Sequence, residues 1–150
     1  MDGRRMDREI VHLTADTADL ADWLERAETL HRMLRPQMPA GYGAMMARIL
    51  AEGAQMALVH EAGAVRALAV FRAFHNTWNG YRFYVDDLVT DEARRSAGHG
   101  GFLLRWCEAL ARQWGCGGFT LESGVQRGAA HRFYFREGMT ITAFSFGKEI

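Results

Sequence analysis

The stretch Leu88-Val89-Thr90-Asp91-Glu92-Ala93-Arg94-Arg95-Ser96-Ala97-Gly98-His99-Gly100-Gly101-Phe102-Leu103-Leu104 changes character twice. Leu88, Val89 and Thr90 close a strand-like run. Residues 93–101 (ARRSAGHGG) then offer no core-forming side chain. From Phe102 to Trp114 the spacing of Leu103, Cys107, Leu110 and Trp114 is that of an amphipathic helix, with Arg105, Glu108 and Arg112 opposite. A strand, a turn of small residues and a helix, in that order, let a ligand approach the backbone closely. The first helical turn offers it unpaired N–H groups and a partial positive charge. That is an anion site suited to a phosphate or pyrophosphate, and Arg94 and Arg95 add formal charge beside it. It is not a nucleotide-hydrolysing loop, since Gly100 is followed by Gly101 and Phe102 rather than Lys-Ser/Thr. Nor is it a dinucleotide fingerprint, because Leu103 stands where the third glycine belongs. The competing reading is a glycine-rich helix start that holds nothing.

Working outward, the N-terminal side reads as a strand over Glu9–Thr14 and a helix capped by Asp16, with Asp19 at its third position. Leu20, Trp23, Leu24, Ala27, Leu30 and Leu34 give that helix its apolar stripe, and Pro36 and Pro39 end it. A second helix is expected over Ala44–Glu52, with Gly53 as its C-terminal cap. Strands follow at Gln55–His60 and Ala64–Phe74, then an Asn79-Gly80 turn and a third strand, Tyr81–Thr90. Beyond the 102–114 helix come a strand at Phe119–Ser123, a helix at Ala129–Glu137 ended by Gly138, and an extended strand over Met139–Lys148. The order β-α-α-β-β-β-α-β-α-β predicts a mixed sheet, an antiparallel meander plus strand–helix–strand crossovers, with helices on both faces. All 150 residues are expected to form a single domain.

Composition narrows the function. Eighteen Lys and Arg balance eighteen Asp and Glu, so a non-specific nucleic-acid or membrane binder is disfavoured. Apolar residues make up 49% of the chain, too many for disorder, yet no apolar run approaches the roughly 18 residues of a membrane helix. The start, MDGRRMDREI, lacks the apolar core of a secretory signal. Two isolated cysteines, Cys107 and Cys116, fit no metal or redox motif and point to a reducing, cytoplasmic setting. Six scattered histidines give no metal-ligand spacing, so no metal is expected.

The 88–104 stretch resembles the acetyl-CoA-binding motif of the GNAT acetyltransferase superfamily, Arg/Gln-x-x-Gly-x-Gly/Ala after a strand, with Arg95, Gly98 and Gly100 in the motif positions. Ala130-His131-Arg132-Phe133-Tyr134-Phe135-Arg136-Glu137-Gly138-Met139 is similar to the family's later motif, with Ala130, Phe133, Tyr134 and Gly138 matching. Arg127 replaces the usual Asn, Met139 the usual Phe, and Glu92 a frequent Pro. The resemblance implies the family fold over nearly the whole chain and acetyl-CoA as co-substrate. It implies a cofactor site built from Arg94, Arg95, Ser96, Ala97, Gly98, His99, Gly100 and Gly101, with main-chain groups of Leu88, Val89 and Thr90 along the pantetheine arm. Arg127 and Ala130 would add contacts from the later motif.

It also implies direct attack of an amine on the thioester. Tyr134 is then the group that protonates the departing sulfur. Asp86 is the acid lining the acceptor cleft, as base or as the attractor of a cationic amine; Asp87, Glu122 and His75 are weaker alternatives. Asp86 and Asp87 are expected on opposite faces of their strand. The 75–80 loop, with Tyr42, is placed to wall the acceptor site, where Trp78 stacks on a cation, caps the hairpin or packs in a dimer contact. Cys107, inside an apolar stripe, reads as a core residue.

Three functions remain open at this point. The first is an N-acetyltransferase acting on a small-molecule or protein amine. The second is a non-catalytic acyl-CoA sensor, and the third a ligand-free interaction domain. The sequence does not fix the oligomeric state; the resemblance leaves room for a homodimer, in which a final strand around Ile141–Phe146 could pair across a two-fold axis.

Overall fold

Strand alternation explains the architecture. The computed structural model describes residues 7–150, apart from the side chains of Glu92, Arg95 and Ser96. The N-terminal stretch read for a leader lies mostly on residues 1–6, outside the described residues. The strands are β1 (Arg8–Leu13), β2 (Gln55–Glu61), β3 (Ala64–Asn76), β4 (Gly80–Thr90) and β5 (Gly118–Leu121), in spatial order β1-β2-β3-β4-β5. The first four pair antiparallel. β5 follows a helical crossover. Gly117 N donates to Tyr81 O at 2.7 Å and Phe119 stacks on Phe83, so the numbering rises together along β4 and β5. The sheet is therefore mixed, as the element order predicted.

Each strand shows one face to each layer of helices. Leu13, Met56, Leu58, Leu68 and Val70 face α1 (Leu20–Leu34) and α2 (Tyr42–Ala51) and pack with Leu24, Ala27, Leu30, Met46 and Leu50. The alternate residues Ala57, Val59, Ala67, Ala69, Phe71, Phe83 and Val85 are also buried, with α3 (His99–Gln113) against β2, β3 and β4. Phe71 meets Trp106 and Trp114 there, and Leu103, Leu104, Cys107 and Ala111 are buried on α3. Cys107 is a core residue, and burial pushes its thiol up to about 12.

Several boundaries differ from expectation. α1 starts at Leu20 rather than after Asp16, because residues 14–19 fold into a turn in which Thr14 N donates to Thr17 Oγ1 at 2.9 Å. The Asn79-Gly80 signal produces a three-residue loop, not a two-residue one. Asn76 Oδ1 accepts from the amides of Trp78 and Asn79, and Gly80 takes the positive φ of +77°. Gly53 ends α2 as expected, at φ +109°, with its amide on Leu50 O.

The chain forms two compact units, one up to Thr120 and one over Leu121–Ile150. The second holds α4 (Gly128–Arg136), closed by Gly138 at φ +85°. The strand expected over Met139–Lys148 is not formed: no strand is assigned there, and Ile141, Phe144 and Phe146 are exposed. A strand exists only when paired, and the apolar alternation itself slips between Ala143 and Phe144. None of the described helices is long and apolar enough to cross a membrane.

Candidate active site

The turn after β4 brings small residues and a glycine to the head of a helix. Asp91 caps a 3₁₀ turn over Glu92–Ala97 by accepting from Ala93 N at 3.1 Å. Gly98 then adopts φ +75°, ψ 20°, a left-handed conformation that suits glycine. That reversal starts α3 at His99, three residues earlier than the apolar spacing indicated. Gly100 and Gly101, read as loop, are buried residues of its first turn. Gly98, at the N-cap, has no side chain with which to cap this helix. The first amide to find an intrahelical acceptor is Phe102 N, on Gly98 O at 3.1 Å. The amides of His99, Gly100 and Gly101 precede it, in the positive end of the helix, and fit a diphosphate.

Arg8 Nη1 donates to Ala97 O at 3.0 Å and its guanidinium lies 4.2 Å from the centre of the Phe102 ring. This anchor, some ninety positions upstream, had no local signal in the sequence. Arg94 is exposed on the turn. The side chains of Arg95 and Ser96, expected at the phosphate site, lie outside the described residues.

Leu88, Val89 and Thr90 pair through β3 with Ala69, Leu68 and Ala67. β5 has four residues against the eleven of β4 and runs beside its first half. Among the described strands, none pairs with the other edge of Leu88–Thr90.

The two acids sit on a β-bulge. Val70 pairs with Asp87 but Phe71 with Val85, so Asp86 is the extra residue. The consequence corrects the expectation of opposite faces. Asp87, opposite Val70, faces α1. Asp86 meets Arg72, which follows the α3-facing Phe71 and so also points to the α1 side. Both carboxylates therefore emerge on one face.

Their environments differ. Asp87 accepts from His31 Nε2 at 2.8 Å and from Arg35 Nε and Nη2 at 3.0 and 2.7 Å. Burial raises its carboxyl, but the bonds from His31 and Arg35 outweigh that and hold it below the usual range. His31, 1% exposed, is held from behind by the Tyr42 hydroxyl at 2.8 Å from Nδ1. Asp86 takes one guanidinium, Arg72, at 2.6 and 2.8 Å. Burial wins over Arg72 there, with Asp87 adding to it, and its carboxyl is raised. Tyr42, expected to wall the acceptor site, is 2% exposed and serves this buried chain; burial keeps its phenol protonated far above its usual value. Trp78, 59% exposed, lies by Arg82, which also stacks on Tyr84. His75 stacks on Tyr81.

In the second unit, Tyr134 lies on α4, half-buried against Phe133. Burial raises its phenol, and the nearby Arg127 charge works against that. Arg127 stands at the N-terminus of α4, and Ala130 is half-buried in its first turn. Glu122 accepts from the Ser145 hydroxyl at 3.0 Å.

The family model for the acetyltransferase (GNAT) family matches residues 18–139. The chain belongs to the GNAT family. An uncharacterized N-acetyltransferase of Bacillus subtilis (strain 168), YhdJ, is 38% identical over 93 residues, 61% of this chain and 66% of that protein. The aminoalkylphosphonate N-acetyltransferase of Salmonella typhimurium (strain LT2) is 36% identical over 80 residues, 53% of this chain and 50% of that protein. The chain thus spans between half and two thirds of the length of these relatives. Among solved structures, the aminoglycoside N-acetyltransferase AAC(6')-Iy in complex with CoA superposes with a TM-score of 0.83 at 15% identity, over 100% of this chain and 99% of that one. That likeness establishes the GNAT fold.

Within this GNAT domain, His31, Arg35 and Arg72 were not singled out from sequence. A signal for His31 was present. It falls on the apolar stripe of α1, four residues after Ala27, and a histidine there needs a partner that only an inward-facing acid supplies.

Proposed function

We propose that the chain transfers the acetyl group of acetyl-CoA to a primary amine by direct attack. The observation that carries this is the start of α3. A left-handed Gly98, which has no side chain to cap the helix, precedes three consecutive first-turn amides. The amides of His99, Gly100 and Gly101 hold the diphosphate, and Ala97, Arg94, Arg95 and Ser96 border it. Main-chain groups of Leu88, Val89 and Thr90 lie along the pantetheine arm in the manner of an added strand. The likeness of the later motif to the family's supports Arg127 and Ala130 as further cofactor contacts.

Acetyl-CoA supplies the activated acyl group; the chain supplies proton management. Asp86, with its raised proton affinity, is the base that takes a proton from the amine, directly or through a water. Asp87, pinned by three hydrogen bonds, stays ionised and anchors the bulge. One carboxyl poised and its neighbour locked is the pattern of an acid–base site. Tyr134, protonated at neutral pH, donates to the departing sulfur. The acceptor we place first is a small amine, supported by the acidic Asp86 and by the aminoalkylphosphonate specificity in the Salmonella relative's name.

The test is acetyl-CoA-dependent thiol release across small amines, amino acids, polyamines and peptides, with the product identified by mass. An acetylated amine formed at a saturable rate is expected. Binding of acetyl-CoA without turnover on any amine would replace the enzyme by a sensor.

A further inference from the structure

A second cluster of charged groups joins the turn to the β2–β3 hairpin. His99, the first residue of α3, is 5% exposed. Its Nε2 is 3.1 Å from Glu61 Oε1, at the end of β2. The same Glu61 oxygen is 3.4 Å from Arg66 Nε on β3, and Arg66 Nη1 is 3.6 Å from Asp91 Oδ2. The Asp91 amide also donates to Arg66 O at 2.8 Å. Asp91 begins the turn and His99 ends it, so one cluster on the β2–β3 hairpin grips both ends. Glu61 and Arg66 side chains are 12% and 16% exposed.

Burying four charged or titratable groups needs a return. The return is not ordinary hydrogen bonding. Among the described residues, Glu61 Oε1, Arg66 Nε and both ring nitrogens of His99 are buried without an aligned hydrogen-bond partner. The groups are close enough to attract but are not aligned as hydrogen bonds. The hairpin that carries Glu61 and Arg66 is closed by the pairing of Glu61 with Ala64 in the β2–β3 ladder.

We propose that Glu61 and Arg66 are positioning residues for the cofactor turn: by holding Asp91 and His99 at a fixed span, they aim the Gly98–Gly101 amides at one anion. Neither touches the ligand. This rests on the assignment of that turn to the CoA diphosphate, and adds to it a control of affinity from the β2–β3 hairpin.

The test uses the full chain with Glu61→Gln, Arg66→Met and Arg66→Lys, each first shown to be folded by circular dichroism and a melting curve. Acetyl-CoA binding is measured by calorimetry, and kcat and KM by thiol release. Glu61→Gln and Arg66→Met are expected to raise Kd and KM for acetyl-CoA by roughly tenfold, with kcat at saturation within about twofold of wild type. Arg66→Lys, which keeps the charge, is expected to recover most of the loss. If Glu61→Gln does not fold, the Arg66 pair reads the same contrast. Folded variants with unchanged acetyl-CoA affinity, or with kcat falling while KM holds, overturn the brace alone. A wild-type protein that binds no acetyl-CoA overturns the assignment beneath it and the brace together.

Discussion

Replacing Asp86 and Asp87 by Asn, one at a time, should split stability from catalysis across a single peptide bond. Asp87→Asn removes the charge that receives His31 at 2.8 Å and Arg35 at 2.7 and 3.0 Å. An amide has one acceptor oxygen and presents an NH2 where a carboxylate oxygen stood, so Arg35 keeps the oxygen only if His31 switches to the tautomer that accepts on Nε2, and both lose a charged partner. Breaking a buried ion pair on one side costs about 3–5 kcal/mol. Here Arg35 is 43% exposed and can rehydrate, so the cost is nearer 2–3 kcal/mol, in line with one unsatisfied buried group plus a weakened neighbour. For a chain of this size that is a fall in Tm of about 5–10 °C.

Asp86→Asn has the opposite balance. The raised carboxyl means that folding favours its neutral form, so ionised Asp86 costs stability at neutral pH. Asn removes that cost and leaves Arg72, 39% exposed, to water. The expected net change is within about 1 kcal/mol. Turnover, by contrast, should fall on the order of 100-fold or more with the base gone. Melting curves and thiol-release kinetics on the two variants decide it. If Asp86→Asn unfolds as readily as Asp87→Asn, or turns over at the wild-type rate, the division of labour argued for the bulge is wrong.

Tyr134→Phe should lower kcat by about tenfold or more with acetyl-CoA KM little changed, read from steady-state kinetics. Gly98→Ala should cost about 1–2 kcal/mol through its φ of +75°, since the new Cβ meets nothing closer than Arg8 Nη1 at 3.8 Å; Gly98→Asn, which tolerates that conformation better, should cost less in denaturant titrations. The stability that Asp87 contributes is present above the unfolded carboxyl value of about 3.9, and is lost as pH falls through that value toward the lower folded one. The Tm gap between wild type and Asp87→Asn should therefore shrink steadily below about pH 4 in melts across an acid series.

The elements that periodicity controls were legible in the sequence. The stripe from Leu20 to Leu34 is α1, Gly53 ends α2, and the 55–90 meander pairs as expected. What escaped lies where a tertiary contact overrides a local preference. Gly100 and Gly101 are poor helix formers, and only their burial in the first turn of α3 makes them helical. Asp16 is a good cap by type, yet the chain spends residues 14–19 on a turn.

The bulge was readable in hindsight. Val85 and Leu88 are three residues apart, but their partners Phe71 and Ala69 lie on the same face of β3. Two polar residues between two apolar ones that must face the same way require one extra residue, and Asp86 is it. The last segment failed for a different reason. Alternation records a preference for pairing, and a preference is satisfied only if a partner strand is present.

The most direct measurement is a glycine-selective 15N NMR titration with CoA. The amides of Gly98, Gly100 and Gly101 are predicted to shift together and saturably, and to move far less with pantetheine, which has no diphosphate. Glycine resonances elsewhere responding while these three stay still would contradict the placement of the phosphate site at the head of α3.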